Sequence, residues 1–225
     1  MARDNSPKVR QRQQLARKKQ RSRAECDRIL IVSEGSKTEP NYFDEIRIDL
    51  RLPVRNIRAL PSKSGTAPIN VVQYAREIFE RGDMHSGIEP RAFERVYAVF
   101  DRDDHDSYFD ALRLAKSLNG KLRNDERKRI PFKAIASVPS FELWLLLHFE
   151  DVQAPAHRDE VIARLKQFIA GYEKGAGQAY AITRVHLEIA MQRAERLATL
   201  YSAETCPHPY TGVSDLVGLL TTLKR

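Results

Sequence analysis

Apolar residues along this chain come in two alternating patterns, short continuous runs and helically spaced faces. Arg28-Ile-Leu-Ile-Val-Ser33 is a run that stops at Glu34-Gly35 and reads as a buried strand. Tyr42, Phe43, Ile46 and Leu50 follow at helical spacing, with Thr38 as the expected N-cap and Pro40 in the first turn. Val54 to Leu60 alternates as a second strand. The turn-rich Pro61–Pro68 segment leads into a helix marked by Ile69, Val72, Ala75, Ile78 and Phe79. Arg95-Val-Tyr-Ala-Val-Phe100 is a third, strongly apolar strand that ends abruptly at Asp101. The next helix should bury Phe109, Leu112, Ala115 and Leu118. Phe132 to Ala136 is a weaker fourth strand, and Phe141 to Phe149 is a helix apolar nearly all round, hence buried.

Strands alternating with helices predict an α/β fold whose parallel sheet is covered by helices on both faces. Sites in such sheets form beyond the carboxyl ends of the strands. Residues 157–170, 180–201 and 213–224 read as further helices, joined through the Gly171–Gly177 turn region. The expected organisation is a basic disordered arm over 1–26, an α/β core over 27–150 and a helical C-terminal part over 151–225. No internal repeat is visible.

Charge separates the arm from the rest. The chain of 225 residues has a formal charge of +8. Residues 1–23 hold nine Lys and Arg against the single acid Asp4, so they carry the whole of it, and the remainder has 29 bases and 29 acids. A segment this poor in apolar residues cannot bury a core. Its residues Arg10, Arg12, Arg17, Lys18, Lys19, Arg21 and Arg23 suit phosphate contacts with nucleic acid; a solvated, solubilising tail is the plainer reading. The apolar run Leu143–Leu147 is far short of the ~20 residues of a membrane span. No apolar segment follows the first charges, so a secretory signal peptide is not expected. Cys26 and Cys206 lack CxxC spacing, which argues against a zinc site or a disulfide scaffold and fits a reducing cytoplasm.

The candidate chemistry sits where apolar runs end. Asp101-Arg-Asp-Asp-His-Asp106 places four carboxylates directly after a strand, with Asp101 and Asp103 at the i, i+2 spacing that shares one side of extended backbone. Clustered carboxylates repel and must protonate or share a cation; a hard cation such as Mg²⁺ resolves this with oxygen ligands. The alternative is capping of the next helix by Asp106 or Ser107, which accounts for Asp104 and Asp106 better than for Asp101. Glu34 before Gly35 would share the rim with Asp101 if the two strands are neighbours; otherwise it is a turn acid. Glu142 stands in an apolar helix, where an unpaired carboxylate would be costly, unless first-turn amides and Ser140 satisfy it. Lys63-Ser-Gly-Thr66 lacks the order of a P-loop, although Lys63 could meet a phosphate. His105 could assist a leaving group or be a surface imidazole, and His148 reads as a packed helix-end residue.

Glu-Gly after the first strand and Asp-x-Asp after a later one resemble the Toprim catalytic domain, which occurs in topoisomerases, primases and OLD-type nucleases. Ile29-Leu-Ile-Val-Ser-Glu-Gly-Ser-Lys-Thr-Glu-Pro-Asn-Tyr-Phe43, Val99-Phe-Asp-Arg-Asp-Asp-His105, and Ser137 through Phe149 look like signature blocks of the RloB family. Pro209-Tyr-Thr-Gly-Val-Ser-Asp-Leu-Val217 resembles its C-terminal block. The resemblance implies a Toprim-like parallel sheet and a Mg²⁺- or Mn²⁺-dependent phosphodiesterase of bacterial anti-phage loci. Glu34, Asp101 and Asp103 match the Toprim acids as catalytic and metal-binding residues, and Glu142 joins them as a catalytic candidate. Glu39 matches a further metal ligand, five rather than four residues after Glu34. The partners implied are nucleic acid, RNA or DNA, and a separate ABC- or AAA-type ATPase, with no membrane; self-association stays open. A Toprim-derived partner or sensor that binds nucleic acid or a nucleotide without cleaving it is the alternative.

Overall fold

All five residues of β1 (Ile29–Ser33) are buried, so its sheet must be covered on both faces. The computed structural model describes residues 27–102 and 106–223; the arm residues Arg10, Arg12, Arg17, Lys18, Lys19, Arg21 and Arg23 lie outside them. After β1 come α1 (Thr38–Asp49), β2 (Ile57–Pro61), α2 (Pro68–Arg81), β3 (Arg95–Asp101), α3 (Tyr108–Leu118), β4 (Phe132–Val138) and α4 (Phe141–Leu146). The rest of the chain supplies α5 (Arg158–Phe168), α6 (Ala179–Thr183), α7 (Leu187–Leu200), β5 (Tyr210–Thr211) and α8 (Val213–Thr222). The sheet order is β2-β1-β3-β4-β5, parallel throughout except that β5 runs antiparallel to β4.

Alternation along β1 sorts the helices into two layers. Ile29 and Ile31 face a core shared with α1 and α4–α8, while Leu30 and Val32 face one shared with α2 and α3. The C-terminal helices therefore pack on the same face as α1 and share its core, and β5 extends the sheet itself. No helix of the described residues is long and apolar enough to cross a membrane.

Local differences from the sequence reading have identifiable causes. The second strand starts at Ile57 because Asn56 and Ile57 both donate to Pro53 O, closing a turn that leaves Val54 exposed. The buried face of α3 is Tyr108, Ala111, Ala115 and Leu118. Phe109 is 37% exposed and lies beside the Arg102 guanidinium, 5.5 Å from its ring centroid. The 109/112/115/118 set has a strict period of three, which drifts around a helix of 3.6 residues per turn. Position 37 is the N-cap of α1, so Thr38 is its first residue. The helix from Phe141 ends at Leu146, where the Phe149 N–H turns back to Leu146 O at 2.9 Å.

Glu45, on α1, ties the C-terminal part to the core. Its carboxylate accepts from the backbone N–H groups of Gln178, Tyr180 and Ala181 at 2.6, 2.9 and 3.1 Å, capping α6 from another element. Charge-assisted bonds to helix-end amides are worth about 1–2 kcal/mol. Glu45→Ala should lower the melting temperature by about 2–8 °C, at 2–4 °C per kcal/mol for a chain of this size. A thermal melt within a degree of the parent would show that the cap contributes nothing.

His148 is buried, its Nδ1–H donates to Trp144 O at 2.9 Å, and Nε2 has no partner among the described residues. Burial, with smaller contributions from His186 and Arg193, drops its pKa to about 4, while the two backbone carbonyls it meets pull upward. The unfolded chain takes up that proton near pH 6.5, the folded one only near 4, so stability is full above 6.5 and is lost as pH falls. The loss is on the order of 3 kcal/mol by pH 4. Urea titrations of His148→Gln should show a shallower decline across this window, and an unchanged pH slope would contradict it.

Candidate active site

The two strand ends that the sequence singles out are adjacent. β1 and β3 pair in parallel, with Ser33 level with Val99, so Glu34 and Asp101 emerge on the same carboxyl rim. Glu34 is locked to that rim from both ends. Its N–H donates to Val99 O at 2.9 Å, and its Oε2 accepts the Asp101 N–H at 3.1 Å. Gly35 leaves room for the Glu39 carboxylate, which folds back over it from the first turn of α1: a Cβ there would lie 1.9 Å from Oε2, and the Glu39 side chain would have to move. Glu142 arrives from the first turn of α4, just after β4. The four carboxylates line one open cleft of about 380 Å³, together with Ser36, Lys37, Thr38, Ser62, Gly65, Thr66, Arg158 and Lys174.

These acids are buried, none more than 9% exposed. Burial, then repulsion from Glu39, Glu142 and Glu34, lifts the Asp101 carboxyl well above the ordinary range, with Arg158 pulling it back. Burial pushes Glu39 up to about 7, opposed by its backbone hydrogen bond and Lys174 and reinforced by Glu142 and Glu34. Glu142 is the best compensated. Its carboxylate accepts from Ser140 Oγ at 2.7 Å and Tyr172 Oη at 3.3 Å, and Lys174 Nζ lies 3.1 Å away. Ser140 holds the N-cap position of α4, yet its hydroxyl serves the Glu142 side chain and makes no capping bond to the backbone.

The remaining candidates fall elsewhere. Asp103, Asp104 and His105 lie outside the described residues, and Asp106 is exposed. Lys63 is 63% exposed at its side chain and pairs with Asp83 Oδ2 at 3.1 Å, outside the residues that line the cleft. Its neighbours Ser62, Gly65 and Thr66 do line it.

Arg158, Tyr172 and Lys174 are the site residues that sequence reasoning missed. Arg158 Nη2 stands 3.6 Å from Asp101 Oδ2. One signal was present: Arg158 opens α5, where a cation opposes the helix dipole and needs an outside reason. Lys174 and Tyr172 sit in and beside a glycine-rich turn whose sequence gives no indication of its destination.

An oxygen-only donor set with mutually raised carboxyls has the chemistry of a hard divalent-cation site. Among the described residues, however, no three His, Cys, Asp or Glu side chains form a group that could hold an ion; Arg158 and Lys174 supply the positive charge. The donor types fit a cation, and holding one requires the carboxylates to turn from these two bases toward a common point.

A carboxylate cleft at the carboxyl rim of a helix-covered, mainly parallel sheet defines an α/β protein with its site at the strand ends. The sequence model of RloB-like proteins matches residues 29–220, and the chain belongs to that family. No curated protein and no solved structure matches it.

Proposed function

We propose that this chain is a metal-dependent nuclease that hydrolyses phosphodiester bonds of RNA, tRNA or DNA in bacterial anti-phage defence, under the control of a separate ATPase. The observation that carries this reading is the convergence of Glu34, Glu39, Asp101 and Glu142 in one cleft, at the cost of mutual repulsion. Stability alone gives no reason to bury four acids together. Glu34, Glu39 and Asp101, with Asp103, are the residues that would hold Mg²⁺ or Mn²⁺. A bound divalent ion polarises a phosphoryl oxygen, stabilises the leaving oxygen and can activate water. Arg158 and Lys174 lie where a phosphate would need positive charge, and Glu142 fixes Lys174 there.

The sequence carries no P-loop, so energy-driven control would come from the partner. The test is cleavage of mixed RNA and DNA substrates with Mg²⁺ or with EDTA, with and without the neighbouring ATPase. Glu34→Ala is expected to abolish the metal-dependent activity. Cleavage that survives both EDTA and this substitution would reject the proposal.

A second reading, a non-catalytic nucleic-acid or nucleotide sensor, draws on a different observation. Asp101 and Glu142 already have cationic neighbours. Tight binding with no cleavage under any metal condition would favour it.

A further inference from the structure

At the opposite edge of the sheet a group of bases shares a second cleft. The loops that enter β3 and β4 meet there and are stitched together. The Arg91 N–H donates to Phe79 O at 2.6 Å, and its carbonyl accepts the Asp125 N–H at 2.9 Å, with Arg91 held at φ 57°. Within the β4 loop, Asn124 Oδ1 accepts the N–H groups of Glu126 and Lys128 at 3.1 and 2.9 Å, and Arg123 Nη1 donates to Arg127 O at 2.8 Å. The loop is therefore a built turn. Residues 119–131 hold five bases against two acids, a net +3.

Arg91, Lys121 and Arg123 converge on an open cleft of about 230 Å³, with Phe79, Glu80 and Leu122 as its other walls. Glu80, the acid in that wall, pairs with Arg76 at 3.2 Å. Among the described residues, none of the three bases has a carboxylate within ion-pair distance. The chain also enters the fold at this edge. Arg28, just before β1, reaches Asp125 of the same loop at 3.4 Å, and in the sequence residues 1–23 carry +8.

We infer that Arg91, Lys121 and Arg123 form a docking site for the phosphate backbone of a nucleic acid, separate from the carboxylate cleft. At about 3.3 Å per strand residue the two sites are roughly 20 Å apart, across the length of β3. One nucleic acid could span both only if it wraps the sheet or is folded. The site holds the polymer, and the far cleft acts on it. The composition favours phosphate over an acidic protein. The surface is arginine-rich, and the guanidinium fork matches phosphate oxygens in pairs. No exposed aromatic or large aliphatic anchor, of the kind that protein interfaces centre on, stands among the residues of this cleft. The inference rests on a nucleic-acid ligand and not on cleavage.

The test uses the full chain in EDTA, so that nothing is cut. Binding of a short fluorescein-labelled DNA duplex is measured by anisotropy against salt. The triple variant Arg91→Asn, Lys121→Gln, Arg123→Gln keeps a residue tolerant of the left-handed backbone at position 91. If all three bases contact phosphates, the slope of log affinity against log salt should fall by about 2.7, roughly 0.9 for each contact, and Lys121→Gln alone by about 0.9. Because nothing is cut in EDTA, the readout is independent of catalysis in the carboxylate cleft. An unchanged slope in both base variants overturns the inference even where Asp101→Asn abolishes cleavage. So does a lowered melting temperature with an unchanged slope, since the bases would then only offset the carbonyl ends of α2 and α3. Equal competition by poly-glutamate at matched charge would show an acidic-protein site instead.

Discussion

Asp101→Asn will remove metal-dependent cleavage and leave the protein folded and more heat-stable in the absence of metal. Both halves follow from one geometry. Asp101 is the last residue of a buried strand; its N–H donates to Glu34 Oε2, and it lies level with Ser137, whose carbonyl takes the next N–H, that of Arg102, at 2.8 Å. Asn keeps those backbone bonds and the side-chain volume. What it removes is a carboxylate that burial and three neighbouring acids hold far from its comfortable ionisation state. Because the folded-state pKa is raised, ionising Asp101 counts against the fold at any pH above the ordinary carboxylate range. The stabilisation by Asn should therefore be small near pH 4 and grow as pH rises. At 2–4 °C per kcal/mol, a relief of even about 1 kcal/mol is measurable by calorimetry. The catalytic loss should be larger. A bound divalent ion contributes several kcal/mol to the transition state, and each 1.36 kcal/mol is tenfold in rate, so the expected fall is about 10³-fold or more. A variant that cleaves at the parental rate would remove Asp101 from the chemistry. A variant that melts lower without metal would show that Arg158 needs this carboxylate more than the other acids repel it.

The legibility of this site in the sequence divides by range. Glu34 and Asp101 were readable because each ends an apolar run, and a parallel sheet sends the ends of such runs to one rim. Glu39 and Glu142 were readable as helix-start acids, and the fold confirms the placement: α1 and α4 both begin at that rim. Lys174 was not readable. Its position follows from a seven-residue turn that crosses back over α1, where Gly175 packs so closely on Lys37 that a Cβ would lie 2.6 Å from the lysine's own Cβ. No short-range pattern encodes such a crossing. The two-residue β5 was missed for a similar reason. Its ladder bonds and the Ser137–Thr211 hydroxyl pair at 3.0 Å belong to residues 74 positions apart, and two residues cannot display a period. Glu45 gave no signal either. On its own helix it is one more polar position, and only the arrival of α6 makes it a cap.

The distribution of charge then gives the molecule a direction. Four acids share a cleft where strands end, and Arg91, Lys121 and Arg123 share another where strands begin. Within the neutral remainder of 29 bases and 29 acids, this separation is invisible to composition.

Deleting residues 1–23 should produce the largest change in nucleic-acid affinity of any single alteration and almost none in stability. The deletion removes nine bases and one acid and no residue of the described core. A segment with so few apolar residues has little hydrophobic contribution to give, so the melting temperature should stay within about a degree. Binding is a different matter. If six of the nine bases contact phosphates, the full chain should lose on the order of 10³ in affinity between 50 and 200 mM salt, and the truncated chain far less. The remaining salt dependence should then be that of the folded surface at the amino edge, and it should disappear when the Arg91, Lys121 and Arg123 substitutions are added to the deletion. Equal affinities and equal slopes for the full and truncated chains would dismiss phosphate contact by the arm and leave it docking an acidic partner or keeping the protein soluble. A slope that falls with the deletion but not with the loop substitutions would place all of the phosphate contacts in the arm.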